Sequence, residues 1–513
     1  MSDPRVVGQG SYGCVIKPSI ECNKKTSIDY KNKVSKILSK EDAIKEMQEY
    51  NKVSAADKKN KFYLGKPDKC DIFTPLKHSD VTVIKKCKIG ADVLSAINDY
   101  NLIVMEDGGS NLADYTNHMR SWSKSEMSTE RCEKFILEIS RLLTGLKLFL
   151  DNDLIHFDLK PQNIVFNEKT GRLNFIDFGM MKTRKIIKLA AEKSLCSSAF
   201  FHWSYPWELQ FINRNKFVDI TKNMMLQERE IRKIKDPNGP HAQHLHHFFL
   251  YTVDKRLDKD GYNKVVDYYV EGYEAFILNF GSPVSMANMK YENFLNKALD
   301  TIDVFGVGMA LNYWFHVAKK HLDEGLADRL EKMCYAAINP VLAARDDINM
   351  LIADYQSILR EFKLLEKYDM ELVDGIAVER KSPSPVKAES PVKMPRLNKP
   401  DEEFVLADPA PCPPGKEINP KTGRCIKSKP VKDLAGPCPP VKDLAGPCPP
   451  GKERNLKTGR CIKIKPANVI KNTIFAANCP PGKERNPKTT RCNNKCKDGY
   501  SRDANFKCTR KKR

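Results

Sequence analysis

The chain has 513 residues, 41% of them hydrophobic and 29% charged, which is enough length for two or three domains and enough apolar surface for a large core. No apolar run approaches the ~20 residues of a membrane helix, since Leu142 to Leu150 is interrupted by Gly145 and Lys147, and Met1-Ser2-Asp3-Pro4 has neither the basic end nor the apolar core of a signal peptide. A soluble, intracellular protein without membrane contact is the expectation. The net charge of +21 is uneven: residues 411–513 hold 26 Lys and Arg against 7 Asp and Glu, a net +19, which leaves +2 for everything before them. Such asymmetry belongs to an interaction tail on a near-neutral folded part. Seven of the 16 cysteines are scattered through the first 410 residues without a C-x-x-C pair and read as reduced thiols; the other nine recur regularly in the tail.

In chain order, Gly8-Gln9-Gly10-Ser11-Tyr12-Gly13-Cys14-Val15, preceded by Val7, fits G-x-G-x-x-G-x-V at every fixed position. Glycines there let a turn between two strands bring backbone amides close to phosphate oxygens. By itself this pattern is as often a bare turn. Val34-Ser35-Lys36-Ile37-Leu38 reads as a strand with one lysine among apolar residues, costly unless its charge is used. Ser39 with Asp42 reads as a helix cap, and Ile44, Met47, Tyr50 and Val53 give the helix that follows an apolar face. Glu46 and Glu49 both lie near that face as partners for Lys36. Leu102 to Met105 reads as a strand leading into Glu106-Asp107-Gly108-Gly109. Phe135, Ile136, Ile139, Leu142, Leu143, Leu146 and Phe149 recur at helical spacing.

The stretch His156-Phe157-Asp158-Leu159-Lys160-Pro161-Gln162-Asn163 follows that helix. It precedes two short strands, Ile164-Val165-Phe166 and Leu173-Asn174-Phe175-Ile176, and then Asp177-Phe178-Gly179. Strands dominate early and helices later, an α+β class. With three separated motifs in this order, residues 1 to about 365 resemble the catalytic core of a eukaryotic-type serine/threonine protein kinase. The resemblance implies a two-lobed fold, with a small β-rich lobe and a large helical lobe, and transfer of the ATP γ-phosphoryl group to serine or threonine hydroxyls of protein substrates. It further implies that Val7 to Val15, Lys36, Glu46 and Glu106 bind ATP. Asp158 and Lys160 would act at the transferred group, and Asn163 and Asp177 would hold Mg2+. Pro206-Trp207-Glu208 resembles the end of an activation segment, and Asp303-Val304-Phe305-Gly306 resembles the start of the central helix of the large lobe.

Two departures stand out. Phe157 occupies the place where many kinases carry an arginine that reads a phosphate on the activation segment. The 94 residues between Glu208 and Asp303 make an insertion at about 209–300, which contains His241, His244, His246 and His247; these read as a metal site or, more simply, as a polar helix.

Residues 1–370 are thus expected to be the kinase part and 371–410, with Lys-Ser-Pro-Ser-Pro-Val-Lys, a linker too poor in apolar residues to fold. Residues 411–513 form a basic repeat tail, with Cys-Pro-Pro-Gly-Lys-Glu copies at Cys412, Cys448 and Cys479 and a degenerate one from Cys496 to Cys508. Spacings of eleven or twelve residues fit single-disulfide loops better than zinc modules, leaving Cys438 over; a solvated extension is the plainer alternative. Kinase core and repeats together resemble proteins of large nucleocytoplasmic DNA viruses of the iridovirus type. This implies host cytoplasm or virion as location, and cytoplasm otherwise. The tail's charge would favour polyanions, nucleic acid or acidic virion proteins. The alternative reading of the whole chain is a catalytically weak kinase-like scaffold that binds through its tail.

Overall fold

The computed structural model describes residues 3–9, 13–23, 28–123, 126–194, 203–236, 238–239, 241–278 and 284–380, and eight three-residue strands between Lys416 and Arg510; of Gln243 and His244 only the backbone is described. Gly10, Ser11, Tyr12, Ser197, Ser198, residues 381–410 and most of the tail lie outside the described residues.

The N-terminal part is a five-stranded sheet of β1 (Arg5–Gln9), β2 (Gly13–Lys17), β3 (Lys33–Ser39), β4 (Asp68–Asp71) and β5 (Tyr100–Glu106). The order is β1-β2-β3-β5-β4 and every pairing is antiparallel. The period-two alternation of the strands gives the sheet two apolar faces. Leu38 and Ile103 pack against Ala43 of α1 (Lys40–Ala56) on one face. Ile37, Leu102 and Val104 point the other way, towards Val83 and Ile84 of α2 (His78–Ile84) and Val93 of α3 (Gly90–Ser95). Ser39 caps α1 by accepting from the Asp42 amide at 3.1 Å, at the residue the sequence indicates. The buried face of α1 differs from expectation: it is Ala43, Glu46, Glu49, Tyr50 and Val53, whereas Ile44 is 50% exposed. Seating Ala43 on the sheet rotates Ile44, about 100° further round the helix, into water.

The expectation of reduced thiols is also corrected. Cys14 is bonded to Cys87 and Cys22 to Cys70, while Cys132 and Cys334 are free and buried. The pairs are 73 and 48 residues apart; packing of the β4–β5 connection on the sheet brings Cys87 to Cys14, whereas Cys22 meets Cys70 because its segment pairs with the chain at the end of β4 through Ile72 and Asp71.

The rest of the packed part is mainly helical. It runs through β6 (Ser110–Asn111), α4 (Leu112–Met119), α5 (Thr129–Asp151), β7 (Leu154–Ile155), β8 (Ile164–Asn167), β9 (Arg172–Phe175), β10 (Lys182–Thr183) and α6 (Arg184–Glu192). The expected insertion forms α7 (Arg214–Lys222), α8 (Met224–Lys235), α9 (Ala242–Thr252) and α10 (Lys259–Leu278). Then come α11 (Tyr291–Ala318), α12 (Glu324–Ala337), α13 (Ile348–Glu361), α14 (Leu364–Lys367) and a hairpin of β11 (Met370–Val373) and β12 (Ile376–Glu379). Small sheets β6-β8-β9 and β7-β10 carry the loop between α5 and α6. Helix α11 is buried along almost its whole length, and α5, α12 and α13 share the largest apolar core with it. Asp303 lies well inside α11, so the helix begins twelve residues before the start that its motif suggests; the apolar residues Tyr291, Phe294, Leu295 and Ala298 extend it backwards.

The hairpin β11–β12 places residues 370–380 in the packed part, beyond the boundary expected at 370. The Ala377 amide donates to Ser140 Oγ and Thr144 Oγ1 donates to the Gly375 carbonyl, tying the hairpin to α5. The chain divides into compact units Met1–Lys442 and Asp443–Arg513. In the first, Lys416–Ile418 pairs with Cys425–Lys427; in the second, three hairpins repeat the pattern, each with a cysteine opening its second strand (Cys461, Cys492, Cys508). The loop-closing partners expected for these cysteines lie outside the described residues. Among the described residues no helix is long and apolar enough to cross a membrane.

One buried ion pair ties the segment before α7 to the segment between α12 and α13. Glu208 and Arg345 are both fully buried, and the guanidinium donates to both carboxylate oxygens at 2.6 and 3.3 Å. Tyr273 of α10 donates to the same carboxylate at 3.4 Å and accepts from the Trp207 amide at 2.6 Å. Arg345→Met should leave Glu208 buried and uncompensated and lower unfolding stability by about 3–5 kcal/mol, whereas adding Glu208→Gln should recover part of the loss. Denaturant unfolding of the two variants and wild type checks this, and equal midpoints for all three would contradict it.

Candidate active site

Lys36 is placed by strand register. It pairs with Val15 on β2 and Ile103 on β5, at the middle of the sheet, with its side chain 14% exposed. Its ammonium donates to both Glu46 oxygens at 3.0 and 2.8 Å and to Asp177 Oδ1 at 3.0 Å. Glu49, the other candidate partner, pairs with Lys52 at 2.7 Å instead. Burial alone would pull the Lys36 ammonium down, but the Asp177 and Glu46 carboxylates outweigh it and hold it above its usual range. Asp177 is held below the usual carboxylate range, first by Lys36, against burial, and further by Lys160. Burial pushes Glu46 up, partly offset by Lys36.

Asp177 has φ +61°, and Phe178 behind it is fully buried. Phe178 meets Tyr50 edge-on at 5.3 Å, Tyr63 at 6.0 Å and Phe149 at 6.1 Å, and lies 5.2 Å from the His156 ring. This aromatic packing fixes Asp177 where Lys36 can reach it. It also fixes α1, because Tyr50 lies one helical turn beyond Glu46.

The second cluster centres on Asp158, whose side chain is 16% exposed. Lys160 Nζ donates to both of its carboxylate oxygens at 2.8 Å, and Asn163 Nδ2 donates to Asp158 Oδ2 at 2.8 Å and to its carbonyl at 2.7 Å. The loop carrying these residues is held from behind. Asp303 accepts from the His156 amide at 2.7 Å and the Phe157 amide at 3.0 Å. One turn along α11, a Cβ on Gly306 would come within 2.4 Å of the Leu159 carbonyl oxygen, so only glycine allows the loop to lie this close. His156 Nε2 lies 3.1 Å from the Ile176 carbonyl, a contact that needs the proton on Nε2, and the Ile176 amide donates to the Asn163 carbonyl at 3.0 Å. Backbone and side chain thus join the Asp158 loop to the segment ending in Asp177.

Of the glycine-loop residues, Val7, Gly8 and Gln9 lie on β1 and Gly13, Cys14 and Val15 on β2, with Gln9 opposite Cys14. A Cβ on Gly13 would meet Leu38 at 2.6 Å and the Ile37 carbonyl at 2.8 Å, so β2 and β3 need glycine there. Glu106 is apart from the two clusters: it ends β5, paired with Lys33 at 2.5 Å and half exposed. Phe157, φ +68°, packs on Tyr205 at 5.7 Å within an apolar cluster that includes Ile155 and Ile187. His246 and His247 lie on α9; among the described residues no group of three or more His, Cys, Asp or Glu could hold a metal ion.

Sequence reasoning gave Asp303 no role in the loop and overlooked Arg345 and Tyr251, whose hydroxyl accepts from Gln162 Nε2 at 2.6 Å. For Asp303 a signal existed: it is a charge inside the apolar run Thr301-Ile302-Asp303-Val304-Phe305, where it is costly unless engaged, whereas Arg345 is followed by Asp346 and Asp347 and reads as part of a surface charge cluster.

No family model matches the chain. It is 30% identical over 154 residues to the inhibitor of nuclear factor kappa-B kinase subunit alpha of Gallus gallus, covering 29% of this chain and 18% of that protein. It is 27% identical over 151 residues to the serine/threonine-protein kinase ULK1 of Homo sapiens, covering 28% of this chain and 13% of that protein. The matched segment thus spans less than a fifth of either relative. Over that segment the chain shows weak homology to eukaryotic serine/threonine kinases.

Proposed function

We propose that the chain is an ATP-dependent serine/threonine protein kinase. The observation that carries this reading is the position of Lys36. Its ammonium joins a strand, a helix carboxylate and Asp177, which is 141 residues away, while the backbone of the Asp177 segment is bonded to the Asp158 loop. Lys36, held charged, would bind ATP phosphates, and β1 and β2 would carry the loop over them. Asp158 would accept the proton of the attacking hydroxyl, and Lys160, already beside it, would offset charge on the transferred group.

The donor set fits Mg2+. Asp177 is ionised and its side chain is 43% exposed, and the Asn163 Nδ2 is engaged by Asp158, which leaves the side-chain oxygen Asn163 Oδ1 as a hard ligand. When bound, the cation would neutralise phosphate charge; Asn163 and Asp177 would hold it. Lys160 two residues after Asp158 supports serine or threonine over tyrosine as acceptor. The combination of this core with the tail repeats supports a place among kinases of the iridovirus type. The scaffold alternative is disfavoured by the complete set of Lys36, Asp158, Asn163 and Asp177.

The purified chain with Mg2+ and ATP should phosphorylate serine or threonine in a general acceptor protein. Lys36→Met, Asp158→Asn and Asp177→Ala should each lower turnover by about 100-fold or more. Radiolabel transfer measures this, and wild-type turnover in all three variants would refute the assignment.

Activity should not depend on a phosphate on Thr183, Ser194, Ser197 or Ser198, because Phe157 and its apolar neighbours offer no cation to read one. Alanine at all four positions should leave turnover within about threefold of wild type, even though Thr183 also caps α6 and its loss costs about 1 kcal/mol of stability. Inactivation of a folded quadruple variant would contradict this.

The tail, with +19 of the +21 net charge, would dock the enzyme on polyanions, with affinity falling steeply as salt rises. Removing residues 411–513 should preserve turnover and abolish low-salt retention on a polyanion matrix. Equal retention of both proteins would remove the docking role.

A further inference from the structure

The β4–β5 connection does more than cover the sheet. Helices α2 and α3 bury Val83, Ile84 and Val93 against Ile16, Ile37, Leu102 and Val104, and the turn between them projects to the root of the glycine loop. There it holds both strands. Gln9, the last residue of β1, donates from Nε2 to the Lys86 carbonyl at 3.2 Å and accepts from the Lys88 amide at 3.0 Å. Cys87 between them is bonded to Cys14 of β2, the residue opposite Gln9. The two ends of the loop are therefore fastened to one short segment, by a two-point backbone grip on one side and a covalent bond on the other. The second disulfide, Cys22–Cys70, anchors the same connection at its β4 end, away from the loop.

We propose that Gln9 and the Cys14–Cys87 disulfide are positioning residues that hold the facing ends of β1 and β2 at the spacing that nucleotide phosphates need, and that reducing this disulfide loosens these strand ends and weakens ATP binding. The proposal rests on the kinase reading. In the reducing step a dithiol attacks the Cys14–Cys87 bond; two electrons and two protons pass to Cys14 and Cys87 as thiols, and the dithiol becomes a disulfide. Both sulfurs are buried, at 1% and 5% residue exposure, so the exchange is expected to be slow. A site whose strand ends the ligand must first set in place binds more weakly than one in which they are already fixed.

The test compares the full chain, oxidised and after dithiothreitol, with Cys14→Ala/Cys87→Ala, Gln9→Ala and, as a control for general loosening, Cys22→Ala/Cys70→Ala. Alkylation and peptide mapping should find Cys14 linked to Cys87 in the untreated protein; two free thiols there would overturn the proposal. Reduction, or loss of the Cys14–Cys87 pair, should raise KM for ATP by about threefold to tenfold with kcat within about twofold, and Gln9→Ala should act in the same direction. Reoxidation should restore wild-type KM. The Cys22–Cys70 control should keep wild-type KM when oxidised and remain sensitive to dithiothreitol. Amide hydrogen exchange at residues 5–9 and 13–17, read without nucleotide, should quicken under the same treatments. An unchanged KM and unchanged exchange, or a control that raises KM as much as the Cys14–Cys87 variant, would overturn the proposal. If the oxidised chain binds no Mg2+–ATP at all, the kinase reading fails, and exchange at those residues still decides whether the strand ends are held in this way.

Discussion

A buried ammonium is the constraint on which the N-terminal part depends. Lys36 lies in the middle of a sheet, where an unpaired charge would cost several kcal/mol, and it is tolerated because two carboxylates from distant parts of the chain meet it. Glu46 can do so only if α1 sits with Ala43 against Leu38 and Ile103, and Asp177 only if Phe178 is packed among Tyr50, Tyr63 and Phe149. The ion triad and the aromatic packing therefore specify one another. A shift of α1 would strand the charge, and a shift of Phe178 would withdraw one carboxylate.

In the helical part the corresponding anchor is α11. Its Asp303 fixes two backbone amides of the Asp158 loop, and Gly306 lets that loop lie directly on the helix. The same helix packs Phe305 and Met309 against Phe248 of α9 and Tyr269 and Tyr273 of α10. These two helices are thus integrated with the base of the site: Tyr273 contacts the Glu208–Arg345 pair, and Tyr251 contacts Gln162 of the Asp158 loop. Phe157 belongs to this logic. Where an arginine would present a cation, an aromatic ring joins the apolar cluster of Ile155, Ile187 and Tyr205, so Phe157 joins the loop to α6 and to Tyr205 by packing rather than by charge.

Much of this was legible in the chain itself. Short apolar runs located β3, β5 and the two short strands before Asp177, helical spacing located α5, Ser39 and Asp42 marked the start of α1, and the repeat period marked the tail. Lys36, Asp158, Asn163 and Asp177, which the structure gathers into two joined clusters, stood out by local context: a lone lysine in a strand, a carboxylate followed by lysine and asparagine in a loop, an aspartate before phenylalanine and glycine.

What the sequence by itself determined is what depends on neighbours along the chain, namely element type, caps and the charge imbalance of the tail. The tertiary structure decided whatever depends on rotation about a helix axis or on partners far apart in number. It chose Glu46 over Glu49 for Lys36, turned Ile44 to water, joined Cys14 to Cys87 and Cys22 to Cys70, and sank Arg345 beside Glu208. The physical reason is common to all four. Local patterns state that a side chain must be buried or paired, but the partner is fixed only when separate elements close on one core, where a few ångströms decide which charge or thiol is within reach.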